Sequence, residues 1–304
     1  MKSSKPQTPN SKEPSSTNLQ AAKMAFFYHP SLRFPVLIFL IVTSVVPSSA
    51  QDGTIVLDPT KPNAPRIVRE AITNQPIHDY RLDGRLELTS ADGAKKKLGI
   101  IILGRPVKDY SNVKTIIRVT SPSDVAGATL MVWQTDHSPN QIFYRGSGAS
   151  EPIEIQAEKN RERFLDTDFS YEDVNFSFLR WAKQETFKPD EKRVARWCHV
   201  VKSTPTSSDG SQYAYVISWI DREALAPLVA EGYDAQGKLL KKLTVKGFRR
   251  DGGGWSVSEM TVEDLLRGHR TKLVIEKGDF HIEHPDELFT REKFFLELPR
   301  AKKG

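Results

Sequence analysis

After residue 65 the chain is dominated by short runs in which apolar and polar side chains alternate, separated by turn residues. In Val113-Lys-Thr-Ile-Ile-Arg-Val119, Val113, Thr115, Ile117 and Val119 share one side, and Lys114 and Arg118 take the other. In residues 213–219 one side carries Tyr213, Tyr215, Ile217 and Trp219. A period of two places these side chains on opposite faces of extended, half-buried strands. Asp92-Gly93, Asp209-Gly210, Asp251-Gly252 and Asp234-Ala-Gln-Gly237 fall between such runs, and a glycine free to take positive φ makes each a hairpin signal. Roughly ten runs without regular intervening helices predict a large antiparallel meander, not a parallel βαβ sheet.

Two stretches depart from this period. Residues 66–74 predict a short helix with Ile67, Ala71 and Ile72 on its inner side. Residues 168–183 predict a second, because Tyr171, Val174, Phe178 and Trp181 recur at spacings that share one helical face. Ser170 and Asp173 fit a capping box with Asp in place of Glu. So short a helix is marginal alone, and burial of that face at roughly 1.5 to 3 kcal/mol per side chain has to hold it down. It either seals one end of a β core or forms a lid over a cavity.

The 304 residues include 44 basic and 38 acidic side chains, a formal charge of +6. Residues 36–46 form an apolar run preceded by Lys23 and Arg33 and followed by Pro47-Ser-Ser-Ala50. The run is too short to span a bilayer, and the small side chains suit a cleavage pocket, so it reads as a secretory signal with cleavage after Ala50. The expected organisation is an N-terminal extension and signal peptide over 1–50, an extended Pro-rich lead-in over 51–65 and a single domain over 66–304. Met24 is a second candidate start. Without the first 50 residues the formal charge falls to +2, which removes the case for a nucleic-acid partner. A lone cysteine, Cys198, excludes an internal disulfide and is expected to be buried packing.

Residues 164–173, 118–133, 219–221, 233–241 and 289–291, taken together, resemble motifs of the outer-membrane lipoprotein-sorting protein family, relatives of the periplasmic carrier LolA. Phe164-Leu-Asp-Thr-Asp-Phe-Ser-Tyr-Glu-Asp173 is similar to its most recognisable motif. Residues 118–133 look like its strand, "SP-x-D-x-x-G" turn and next strand. Trp219-Ile-Asp221 looks like its "W-[IV]-D" strand end, Tyr233-Asp-Ala-Gln-Gly-Lys-Leu-Leu-Lys241 its "YD-x-x-GK-x-x-K" hairpin, and Phe289-Thr-Arg291 its closing motif. The chain departs from the family at Asp166-Thr-Asp-Phe169, where "GSDF" is common, and at residues 142–147, where the family has "W-x-Y-x-P". The resemblance implies a mainly β (α+β) fold, a half-open antiparallel β-barrel wrapped around short helices, with an apolar cavity for acyl chains.

No nucleophile elbow, phosphate-binding loop or Cys-x-x-Cys is present. His281 and His284 lie three apart, which on a strand places them on opposite faces, and Pro285 disfavours a helix; no metal and no other cofactor is expected. Asp166, Asp168, Glu172 and Asp173 read as a cap and a solvated face. Lys95-Lys-Lys97 reads as a solvated loop tip. The expectation is therefore a non-enzymatic periplasmic carrier of lipid or lipoprotein acyl chains that deals with a membrane donor or acceptor protein. A sensor or regulator on the same scaffold is the alternative; a glycan or lipid hydrolase lacks a convincing carboxylate pair. The candidate ligand-binding residues are Phe169, Tyr171, Val174, Phe178 and Trp181 in the lid, with Trp133 and Trp219 as cavity wall.

Overall fold

The computed structural model describes residues 63–74, 76, 78–107, 113–134, 140–251, 254–280 and 282–296. The signal segment, the cleavage position at Ala50, most of the lead-in and His281 lie outside the described residues.

The strands are β1 (Tyr80–Thr89), β2 (Lys95–Pro106), β3 (Val113–Ser121), β4 (Thr129–Trp133), β5 (Gln141–Arg145), β6 (Ile153–Ile155), β7 (Lys183–Arg193), β8 (Arg196–Thr204), β9 (Tyr215–Asp221), β10 (Pro227–Tyr233), β11 (Leu239–Asp251), β12 (Gly254–Asp264) and β13 (His269–Asp279). Among the described residues they form one 13-stranded sheet in the order β6-β5-β4-β3-β2-β1-β13-β12-β11-β10-β9-β8-β7. Every pairing is antiparallel, and all but β1–β13 join consecutive strands. So many twisted strands curl, and because β6 and β7 do not pair the result is a curved, open sheet.

The turn signals fall where hairpins form at Asp92-Gly93 and Asp234–Gly237, and β11 meets β12 at the pair Asp251 and Gly254. Asp209-Gly210 instead belongs to a longer connection with a 3-10 turn, Ser207–Asp209, capped by Thr206. Lys95, Lys96 and Lys97 are not a loop tip. They open β2 and pair with Thr89, Leu88 and Glu87, because the β1–β2 turn is tighter than their charge suggested.

The inner face carries the main core, with Leu82, Leu86, Ile100, Ile102, Ile117, Leu130, Leu243, Met260 and Leu273 among its members. Helix α1 (Ala64–Thr73) lies on this core. It starts two residues earlier than expected because Pro65 is accommodated in the first turn, where no intrahelical N–H bond is lost. Ile67, Ala71 and Ile72 are buried as expected, with Val68 and Ala64 beside them. The outer face is covered in two places. Leu288, Phe289 and Phe294 of the C-terminal segment pack on Leu103, Ile116, Met131 and Phe143. Further along, Cys198, Val200, Ile217, Trp219, Leu228 and Val229 form a separate cluster.

Between β6 and β7 the chain leaves the sheet and crosses to its other edge through 3-10 turns at Ala157–Lys159 and Phe164–Asp166, helix α2 (Tyr171–Val174) and a 3-10 turn at Ser177–Arg180. Among the described residues no helix is long and apolar enough to cross a membrane.

Candidate functional site

The crossing segment carries the residues expected in the lid, and it is not one continuous helix. Ser170 caps α2: its backbone N–H and hydroxyl donate to Asp173 Oδ2 at 2.9 and 2.6 Å, and Asp173 N–H lies 3.4 Å from Ser170 Oγ. The helix stops after one turn because Phe176 takes a left-handed conformation with φ of 48°. In an unbroken helix Phe176 would sit about 200° around the axis from Val174 and face away from the core. The break, at a cost of roughly 1 to 2 kcal/mol for a non-glycine residue, lets Phe176 and Phe178 both be buried, ring edge to ring face at 5.6 Å. Trp181 packs against Phe178 at 6.5 Å, and Tyr171 faces Tyr144 at 6.4 Å. Phe169, Tyr171, Val174, Phe178 and Trp181 all join the inner core.

The acidic residues of the same segment are not a solvated face. Asp166 is exposed, but Asp168, Glu172 and Asp173 are buried, each against partners contributed by the sheet or the 211–213 loop. Asp173 forms an ion pair with Lys241 of β11, Nζ to Oδ2 at 2.8 Å, and accepts from the Tyr213 hydroxyl at 2.7 Å. Lys241 also donates to the Asp168 carbonyl at 2.9 Å. Asp168 accepts from Thr271 Oγ1 of β13 at 2.7 Å and returns its own N–H to the same hydroxyl at 2.8 Å. Glu172 accepts from Ser211 Oγ at 2.6 Å and Gln212 N–H at 3.0 Å. The Tyr213 ring lies so close to Gly232 that a Cβ there would come within 2.3 Å of it. Asp173 and Lys241 thus join the two motifs Phe164–Asp173 and Tyr233–Lys241 in a buried latch. The terminal lysine of the second motif was the available sequence signal for it.

Burial pushes the Asp173 carboxyl up, but the Lys241 ammonium and the bonds from Ser170 outweigh this and hold it below its ordinary value. Glu172 has no such cation. Burial, and then the charge on Asp173, push it up to about 7 against the hydrogen bonds from Ser211 and Gln212. Burial also raises Asp168, partly offset by Thr271, and raises Tyr213 well above the usual phenol value, with Asp173 adding to the effect.

Two small cavities flank the lid. One, about 20 Å³, is lined wholly by apolar side chains: Leu86, Ile100, Ile102, Ile117, Phe164, Phe169, Val174 and Leu273. The other, also about 20 Å³, lies between Asp173, Phe178 and Tyr213 of the lid side and Val216, Ala230, Leu243 and Val262 of β9–β12, with Lys241 in its wall. Each has room for about one water molecule.

Neither tryptophan expected in the cavity wall faces it. Trp219 lies in the outer cluster, its Nε1 donating to Glu191 at 2.9 Å under the Arg193 guanidinium. Trp133 shares the outer side of β4 with Met131 and carries Lys114 Nζ at 3.9 Å over its ring. The strand β9 buries both faces, and its inner side belongs to Val216, Ser218 and Ile220, while Tyr213 precedes the strand.

His284 sits beside an Asp79–Arg105 pair, its Nε2 3.1 Å from the Tyr80 carbonyl, and burial lowers its pKa. Among the described residues no three His, Cys, Asp or Glu side chains are grouped to hold a metal. Cys198 is buried and its thiol is pushed up to about 11 by burial, which keeps it protonated.

Comparison with known structures shows that this architecture is a LolA-like fold. An outer-membrane lipoprotein-sorting protein domain from Vibrio parahaemolyticus superposes with a TM-score of 0.68 at 20% identity, covering 75% of this chain and 96% of that one. A DUF1329 family protein from Desulfovibrio piger gives 0.67 at 19% identity over 75% and 95%. A LolA superfamily protein from Nitrosomonas europaea gives 0.57 at 19% identity over 75% and 97%. Residues 111–294 match a family model described as "Uncharacterized protein", and the chain belongs to that family. No curated protein matches it.

Proposed function

We propose that the protein is a periplasmic carrier of acyl chains, and that the segment between β6 and β7 is a lid in its closed position. The observation that supports this reading best is the construction of the lid. Phe169, Val174 and Phe178 face two small cavities on the inner core, and a handful of polar contacts to β11, β13 and the 211–213 loop fix the same segment. Displacing that segment would expose an apolar trough along the inner face. Twelve methylenes entering it would gain on the order of 10 kcal/mol gross, before the costs of association and of lifting the lid. No catalytic group takes part. Export by the signal segment, and a membrane partner that donates or accepts cargo, belong to the same reading.

Mass spectrometry of organic extracts from protein purified out of its native envelope tests it, together with displacement of a fluorescent fatty acid. Lipid recovered near one per chain and saturable displacement are expected. An empty extract combined with no binding of the probe would sink the carrier reading. If bound probe stays with the protein when acceptor vesicles are added, the sensor alternative gains over transfer.

A further inference from the structure

The β12–β13 turn breaks the usual rule for turns. At its apex Leu265 and Leu266 are 48% and 56% exposed, where small polar residues are the norm. The turn is rigidly built. Asp264 Oδ1 accepts from the N–H groups of Leu266 and Arg267 at 3.1 Å each, Leu265 N–H donates to the Leu240 carbonyl at 2.9 Å, and Gly268 takes a φ of 68°. The two leucines are therefore held outward by a defined backbone.

Cations surround this apex. Thr89 pairs with both Arg270 and Lys95, so the β1–β2 turn lies alongside, and Gly268 approaches Ala91 there. Lys95, Lys96 and Arg267 are exposed and form no salt bridge among the described residues. Two acids at this end accept hydrogen bonds within the turns, Asp264 from the N–H groups of Leu266 and Arg267 and Asp92 from Ser90 and Ala94, while Glu263 stands in register with Arg270 and Lys242. The apex also stands at the latch end of the sheet, because Thr271, which holds Asp168, follows Arg270 directly and His269 lies 4.0 Å from Asp168.

We propose that the paired turns 90–94 and 265–268 dock the protein on an anionic phospholipid surface, with Leu265 and Leu266 entering the interface and Lys95, Lys96 and Arg267 contacting headgroup phosphates. Apolar side chains ringed by unpaired cations match that chemistry on both counts, burial of the leucines and attraction to a negative surface. Docking there would bring the latch end of the lid to the membrane from which a chain enters or to which it leaves.

Vesicle flotation with no fatty acid added tests this. The full chain is mixed with vesicles of phosphatidylcholine alone or of phosphatidylcholine with phosphatidylglycerol. Flotation with the anionic vesicles is expected and should weaken as salt rises. The double variant Leu265→Ser, Leu266→Ser and the triple variant Lys95→Gln, Lys96→Gln, Arg267→Gln should each bind about tenfold or more weakly, with unchanged unfolding midpoints because the side chains are exposed. No flotation by the wild type, equal binding to neutral vesicles, or variants that bind like the wild type would overturn the proposal. The assay needs no cargo, so its failure leaves the acyl-chain test standing, and the reverse holds.

Discussion

The two flanks of the lid are held down by different physics. Toward β1–β3 the segment offers Phe164, Phe169 and Val174 to a wholly apolar surface, a contact that is non-directional and tolerates sliding. Toward β9–β12 it offers Asp173 to Lys241 and Tyr213, a buried charge pair whose geometry is specific and whose loss is costly. A segment gripped only by apolar contacts could drift. One gripped only by ions would expose no apolar trough when released. Having one flank of each kind fixes the position of the segment while keeping an apolar underside, as the carrier reading proposed above requires.

The largest effect should come from the ionic flank. Lys241→Met leaves Asp173 buried without its cation and should cost about 4 kcal/mol in denaturant unfolding, whereas adding Asp173→Leu should recover most of that loss. A double variant as unstable as the single one would mean the pair is not what anchors this flank. On the aromatic side, Phe178→Ala should cost about 3 kcal/mol, since Phe176 and Trp181 pack on it closely and the adjoining cavity is small. A loss below about 1 kcal/mol would show that the lid rests there more loosely than its geometry indicates.

A smaller effect belongs to pH. Glu172 keeps its proton in the folded state up to about 7, above the ordinary glutamate value that the unfolded chain should show. Below the unfolded value both states are protonated. Between the two values only the folded state is, so stability is lost as pH rises through this window. Asp173, held below its usual value, has the opposite sign and loses its contribution only as pH falls. Glu172→Gln should flatten the slope between about pH 4.5 and 7 and be more stable than the wild type at about pH 8, by roughly 1 to 2 kcal/mol. A slope unchanged by the substitution would place the proton elsewhere. The smallest signal is optical: a brominated fatty acid should quench Trp181, while Trp219→Phe should leave the quenching unaltered because Trp219 lies on the other face. Quenching that depended on Trp219 would move the ligand to the outer surface.

Much of the fold was legible because it is written in local signals. Alternation marked the strands, and Asp92-Gly93, Asp251-Gly252 and the Asp234–Gly237 turn marked hairpins between them. The apolar face of the lid was legible too, since residues three and four apart remain on one side through two short helical turns even with the left-handed break at Phe176. That break was not legible, because it exists to bury a phenylalanine against partners distant in sequence. The acidic residues were misread for the same reason. Nothing within the segment distinguishes a solvated Asp173 from a buried one, and its cation comes from a residue 68 positions along the chain. Trp219 shows the remaining gap: a period of two says that a strand has two faces, but the register against β8 and β10 decides which faces inward.

The pairing of β1 with β13 makes the sheet, read as a ring, a perfect meander. Starting at β7 and passing from β13 directly into β1, each strand neighbours the next in order until β6. In that frame, among the described residues, the segment between β6 and β7 is the one connection that does not join neighbouring strands, and it ties together the two free ends of the meander. A circular permutant that linked the C-terminal segment to the start of α1 and opened the chain between β6 and β7 would keep every strand neighbour, α1 and the C-terminal cover, and lose only the tie. Under the carrier reading proposed above, the cargo cover and the strap that limits how far the sheet can spread would be one stretch of polypeptide. Releasing the cover would then loosen the edges β6 and β7 at the same moment, and capacity and access could not be tuned separately.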